Sequence, residues 1–172
     1  MDLQTLLDIE EIKQLRYSFA WSLETSAPDQ LADLFTTDGV IDVGPWGRMD
    51  GQDAIRKGYG RSYSDMPRFT AMHAVTNPRI RVTGDDATGT WYLLDMSLRE
   101  ADANPLQIVG MYDEIYRRTS DGWRIRHLTL KFLWSSEHGR ITDENPMTIP
   151  ARTRSSHSSD RKARDGAATA AE

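Results

Sequence analysis

The chain contains no cysteine. That absence removes disulfides, a thiolate nucleophile, iron–sulfur clusters and cysteine-ligated zinc. No apolar run approaches the roughly 18 residues that a membrane helix needs. There is no GxGxxG, GxxxxGKS/T, GxSxG or HExxH, so dinucleotide, P-loop, α/β-hydrolase and zincin chemistries leave no local signature. Internal repeats are missing too. The opening stretch, MDLQTLLDIEE, is acidic and lacks the basic-then-apolar order of a signal peptide, which makes the cytoplasm the expected address. Basic residues are outnumbered, 21 Lys and Arg against 26 Asp and Glu, and the net charge of −5 argues against a nucleic-acid partner. The late cluster Arg117, Arg118, Arg124 and Arg126 alternates along a hairpin and reads as a solvated sheet face.

What is present suits one globular domain with a tail. A chain of 172 residues, 38% hydrophobic and 27% charged, can bury a full core without help from a metal or a disulfide. Residues 1–150 carry the domain signals. From Arg152 onward (RTRSSHSSDRKARDGAATAAE) there is almost nothing to bury, so 151–172 reads as a disordered tail. His157 lies in that tail and carries no weight as a site residue.

The element order is helices first and strands after. Leu3, Leu7, Ile12, Leu15, Phe19 and Leu23 recur near the helical period over residues 3 to about 24. Ser26-Ala27-Pro28 closes this helix and opens a shorter one from Asp29 to Phe35. A short strand follows at Gly39–Val43, then turns at Gly44-Pro45-Trp46-Gly47 and Asp50-Gly51. A third helix spans Gln52–Tyr59 and closes at Gly60. Long strands occupy Phe69–Asn77, Ile80–Thr83, Ala87–Arg99, Leu106–Thr119 and Gly122–Ser135. Three helices followed by an antiparallel meander is an α+β order, and the helices must cover one face of the sheet.

The stretch FTAMHAVTNPRIRVTGDDATGTWYLLDMSL, from Phe69 to Leu98, carries the chemistry. His73 shares a strand face with Ala71 and Val75, and Asp95 shares one with Trp91 and Leu93. A polar residue on the apolar face of a half-buried sheet needs a partner. A carboxylate beside an imidazole fixes its tautomer and raises its basicity, which is what proton abstraction requires. Parity alone leaves open whether His73 and Asp95 meet, because the pairing register is unknown. The plain alternative is a satisfied core histidine and a strand-end charge. Asp113 and Glu114 are adjacent, so they point to opposite faces and form no dyad.

Several phrases resemble the SnoaL-like branch of the nuclear-transport-factor-2-like superfamily. They are DIEEIKQLRYSFAWSLETSAPDQLADLF, HAVTNPRI from His73, ATGTWYLLD ending on Asp95, and GMYDEIYRRTSDGWRI. Together they cover roughly residues 8 to 135. The His73 and Asp95 phrases are most similar to bile acid 7α-dehydratase, and the branch also holds scytalone dehydratase and hexachlorocyclohexane dehydrochlorinase. The resemblance implies a cone-shaped α+β barrel, with N-terminal helices packed in a curved antiparallel sheet. It implies that His73 is the catalytic base and that Asp95 or Glu24 supports it. The three side chains could nominally ligate a metal, but they are explained without one as a hydrogen-bonded acid–base set, and no cofactor is expected.

Two departures stand out. Glu24 replaces the Asp of several relatives, and Phe19 replaces the Tyr of the bile acid enzyme, so the hydroxyl at that position is lost. Tyr112 is a candidate to supply it. Trp91, Tyr112, Trp21, Trp46, Tyr92 and Tyr116 are candidates to line an aromatic pocket, against core packing as the alternative. His127 follows Trp123 and Ile125 at strand spacing and is a candidate for the same face. The expected activity is a lyase of dehydratase type, acting without a cofactor on a small, mostly apolar cyclic substrate of steroid or polyketide character. An isomerase, a cyclase or a non-catalytic ligand-binding module remains the alternative. Relatives imply a homo-oligomer, a dimer or trimer through the outer sheet face, with no membrane partner.

Overall fold

The structure, a computed structural model, describes residues 2–63, 71–97 and 106–144. Helix α1 runs from Leu3 to Glu24 and starts where the Asp2 side chain accepts the Thr5 amide at 2.7 Å. Its buried stripe is Ile12, Leu15, Phe19 and Leu23. Leu3 and Leu7 extend the same periodicity yet stay largely exposed. Helix α2 (Pro28–Asp33) opens on proline, whose missing N–H costs nothing in a first turn.

Strand β1 (Phe35–Asp42) begins well before the expected Gly39. Strand β2 (Arg48–Asp50) folds back on β1, and helix α3 (Gln52–Tyr63) continues past Gly60 rather than closing there. The Gln52 amide donates to the Phe35 carbonyl at 2.8 Å and ties α3 to the start of β1.

Strands β3 (Ala71–Thr83), β4 (Asp86–Ser97), β5 (Leu106–Thr119) and β6 (Gly122–Ser135) form the meander. The short β7 (Gly139–Arg140) pairs with β6. The remaining order is β2-β1-β6-β5-β4-β3. All neighbours are antiparallel except β1 and β6, which run parallel, so the expected purely antiparallel sheet carries one parallel join. Bulges in β3 and β6 bend the strands and curve the sheet around the helices. This is the mixed α+β architecture expected from the element order. The strand residues anticipated at 69–70 and 98–99, and the tail at 151–172, lie outside the described residues.

One irregularity decides the site. The phrase Asn77-Pro78, where the sequence reads as a break between two strands, is a bulge within a continuous β3. Asn77 takes φ of 52°, a left-handed conformation asparagine tolerates better than most side chains. Pro78 has no N–H to offer a ladder, which an edge strand can accept. Between Thr76 opposite Tyr92 and Arg79 opposite Thr90, two residues face Trp91 alone. An uninterrupted ladder from the Gly84 turn would set His73 opposite Met96. The bulge sets it opposite Asp95 instead.

Candidate active site

The inner face of the sheet is read off the alternating burial. On β4 it carries Ala87, Gly89, Trp91, Leu93 and Asp95, and on β5 Ile108, Gly110, Tyr112, Glu114 and Tyr116. His73 lies directly across from Asp95, with Nε2 3.4 Å from Asp95 Oδ2. That is long for a hydrogen bond, as unliganded catalytic pairs often are. The Ser97 hydroxyl donates to Asp95 Oδ1 at 3.0 Å and steadies the carboxylate. His73 Nδ1 is buried and, among the described residues, has no hydrogen-bond partner. A buried acceptor or donor left unmet costs about 1–3 kcal/mol.

Glu24, the last residue of α1, reaches the same place by another route. Its Oε1 accepts the backbone N–H of His73 at 2.9 Å. Because that amide points away from β4, His73 and Asp95 form a non-hydrogen-bonded strand pair, the kind whose side chains approach more closely. Asp95 therefore faces the imidazole, while Glu24 holds the backbone that carries it.

Burial pushes the His73 pKa below its ordinary 6.5, the nearby carboxylates of Asp95 and Glu24 oppose the shift, and the Arg16 cation adds to it. The imidazole is thus neutral at pH 7 and ready to take a proton. The sign for stability follows from the same shift. Below 6.5 the unfolded chain binds a proton that folded His73 refuses, so the His73 contribution is lost as pH falls toward the folded pKa. Activity that depends on the neutral ring should persist at pH 6.5 and decline only in more acidic buffer. A kcat/KM profile whose acid limb lies above 6.5 would contradict this environment for His73.

Beside the pair sits a set of buried polar groups that the sequence reading passed over. Arg16, 1% exposed, lies with Nε 2.9 Å from Glu114 Oε1. The contact is an ion pair whose angle falls outside hydrogen-bond geometry. The guanidinium carbon stands 4.4 Å from the Phe19 ring centroid and 4.2 Å from that of Tyr112. The Tyr116 hydroxyl donates to Glu114 and accepts the Trp91 indole N–H at 2.9 Å. Gly89 makes room for this, since a Cβ there would stand 3.0 Å from the Tyr116 ring. Burial raises the Glu114 pKa against the pull of Arg16 and drives the Tyr112 phenol up to about 12. The signal was available: Arg16 lies four residues after Ile12 and three before Phe19 on the apolar stripe of α1, and Glu114 alternates with Tyr112 and Tyr116.

Other anticipated residues divide plainly. Phe19, Trp91, Tyr112 and Tyr116 are buried on the inner side. Trp21 and Tyr92 are exposed and stand outside the inner set, whereas the partly exposed Trp46 packs edge-on against inward-facing Phe132 at 4.9 Å. His127 is a correction. A bulge at Arg126 breaks the spacing from Ile125 and pairs His127 with Ile115, an outward residue, so His127 faces away from His73. Asp113 does point opposite to Glu114, where it meets Lys131 at 2.8 Å.

An open surface depression of about 530 Å³, lined by Leu7, Glu10, Gln14, Trp123 and Arg124, lies by the β5–β6 turn, at the end of the sheet remote from His73. It holds no acid–base pair. Among the described residues there is no cluster of three or more His, Asp or Glu fit for a metal, and no helix long and apolar enough to cross a membrane.

Comparison with known proteins gives the chain's likenesses. A protein of Novosphingobium aromaticivorans, proposed to be an aromatic ring hydroxylase, is 27% identical, with a TM-score of 0.68 over 76% of this chain and 93% of its own. A proposed scytalone dehydratase from the same organism is 18% identical, with a TM-score of 0.71 over 86% and 97%. A type 2 hexachlorocyclohexane dehydrochlorinase is 17% identical, with a TM-score of 0.70 over 89% and 99%. At those last two identities the likeness is one of fold. Residues 4–129 match the SnoaL-like domain, and the chain belongs to that family.

Proposed function

We propose that the protein is a lyase that removes water from a mostly apolar, cyclic carbonyl compound, with His73 as the base. The observation that carries this reading is the buried His73–Asp95 pair at 3.4 Å, with the other ring nitrogen unpartnered. Neutral His73 takes a proton from the carbon beside the carbonyl. The C–H electron pair becomes the C=C of an enolate, and the carbonyl π pair moves onto oxygen. Collapse of the enolate restores the C=O, moves the double bond one position and breaks the C–O bond of a hydroxyl at the β carbon. The departing hydroxide takes the proton back from the imidazolium and leaves as water. Asp95 stabilises the transient imidazolium, and Glu24 fixes the strand that presents it. Nothing in this sequence of steps calls for a cofactor.

The proton-abstraction step is shared with isomerases, which return the proton to another carbon. The names of the dehydratase and dehydrochlorinase neighbours favour elimination. The test is a panel of β-hydroxy steroid ketones and hydroxylated polyketide-like ketones, followed by absorbance of the conjugated enone and by mass. Loss of water from at least one compound is expected. Rearrangement without mass loss would make it an isomerase, and tight binding of the panel without conversion would make it a binding module.

The same reading takes the protein to be a homo-oligomer. Met72, Tyr92, Leu94, Met96 and Ile115 are exposed on the outer sheet face, a patch that favours burial against a second copy. Sedimentation should show a dimer or trimer for the native chain and a smaller species for Leu94→Arg. A native monomer at every concentration measured would refute it.

A further inference from the structure

The electrophilic side of this site is the open question, because position 19 carries a ring without a hydroxyl. An enolate needs a donor where its oxygen gains charge, and a preorganised one in a dry interior is worth more than one in water. Arg16 has the required features. It is fully buried, its guanidinium carbon stands over the Phe19 and Tyr112 rings, and among the described residues its Nη1 has no hydrogen-bond partner. A buried guanidinium normally spends its donors on carboxylates or carbonyls. Here Glu114 meets the Nε side as an ion pair, and among the described residues Nη1 has neither that pairing nor a hydrogen-bond partner. Phe19, where a hydroxyl would stand in relatives, supplies a face for that cation instead.

Resting on the reading of His73 as base, we propose that Arg16 Nη1 receives the oxygen of the substrate's activating carbonyl, so that the substrates are uncharged carbonyl compounds and not carboxylates. Arg16 and His73 share one interior: Asp95, opposite His73, lies on the same inward face of β4 as Trp91, and Trp91 pairs with Tyr112, whose ring lies against Arg16. That interior already holds one cation, Arg16, against two buried carboxylates, Glu114 and Asp95. A substrate carboxylate would add a third negative charge where charges are poorly screened. A neutral carbonyl adds none. Its oxygen becomes negative only as His73 becomes positive, so charge separation takes place between two groups arranged to receive it.

The probe is 2-naphthol, a flat apolar aryl alcohol whose oxide mimics an enolate oxygen, with 2-naphthoate as the carboxylate control. Absorbance and fluorescence report both binding and the fraction bound as oxide. The native protein should bind 2-naphthol with its ionisation shifted to lower pH, and 2-naphthoate about 10-fold more weakly or less. Arg16→Met alone would strand Glu114, so the variant is the double Arg16→Met, Glu114→Gln, which removes the cation together with the carboxylate paired to it. It should lose about 10-fold in 2-naphthol affinity and lose the oxide signal while retaining its melting transition. If it does not fold, Arg16→Lys, which keeps the charge and loses the planar clamp, should show the same loss in smaller degree.

Unchanged affinity and oxide signal in the folded variant would overturn the proposal. So would the absence of bound oxide on the native protein, or tighter binding of 2-naphthoate than of 2-naphthol. His73→Ala keeps the two claims apart, because it should still bind 2-naphthol. An inactive His73→Ala beside an Arg16 variant that binds like the native protein would leave the base in place and remove the oxygen site. An active His73→Ala beside an Arg16-dependent oxide signal would do the reverse.

Discussion

His73→Ala should lower turnover by about 10²- to 10⁴-fold, the usual contribution of an aligned base, and leave the fold standing. The loss should fall mainly on kcat, since the imidazole acts on a proton that is transferred only in the transition state. The fold should survive because His73 is on an edge strand, 16% exposed at the side chain, with one buried nitrogen already unpartnered. Removing such a group deletes an unmet polar atom as well as a few contacts. A near-native rate in this variant would make His73 a structural histidine and end the lyase reading.

The second large effect separates two carboxylates. Asp95→Asn should cost nearly as much as losing His73, again about 10²- to 10⁴-fold. An amide can hold position, but it cannot stabilise the imidazolium charge, and it can leave the ring in the wrong tautomer. Glu24→Gln should cost much less. Its oxygen accepts a backbone N–H at 2.9 Å, and a glutamine carbonyl can accept the same bond. The ranking follows from which atom each group touches, ring or backbone. Rates at saturating substrate for the two variants decide it. A reversed ranking would make Glu24 the partner of the imidazolium, and two mild effects would dissolve the acid–base trio.

Much of this was legible before any coordinates. The β5–β6 hairpin falls on the boundaries its turn chemistry announces, with Gly122 at φ 96° where Ser120-Asp121-Gly122 signals a reversal. The inward residues of β4 obey strict alternation from Ala87 to Asp95. What parity could not supply were the bulges. One at Arg126 turns His127 outward although its spacing from Trp123 and Ile125 points inward. Another at Asn77-Pro78, a phrase with the look of a strand break, shifts the pairing by one residue and so brings His73 to Asp95. Arg16 and Glu114 were missed for a different reason. Each is a charge on an apolar face, and each is explained only by the other, 98 positions away in the chain and 2.9 Å away in the fold.

The central claim is that His73 takes a proton from carbon. It is tested most directly with a converted hydroxy ketone that carries deuterium at the carbon beside the carbonyl, followed by mass and by rate. The account predicts that the native protein forms enone with loss of that deuterium and with a primary isotope effect, and that His73→Ala does neither. Product that retains the deuterium, or equal label loss in the His73→Ala variant, would contradict it.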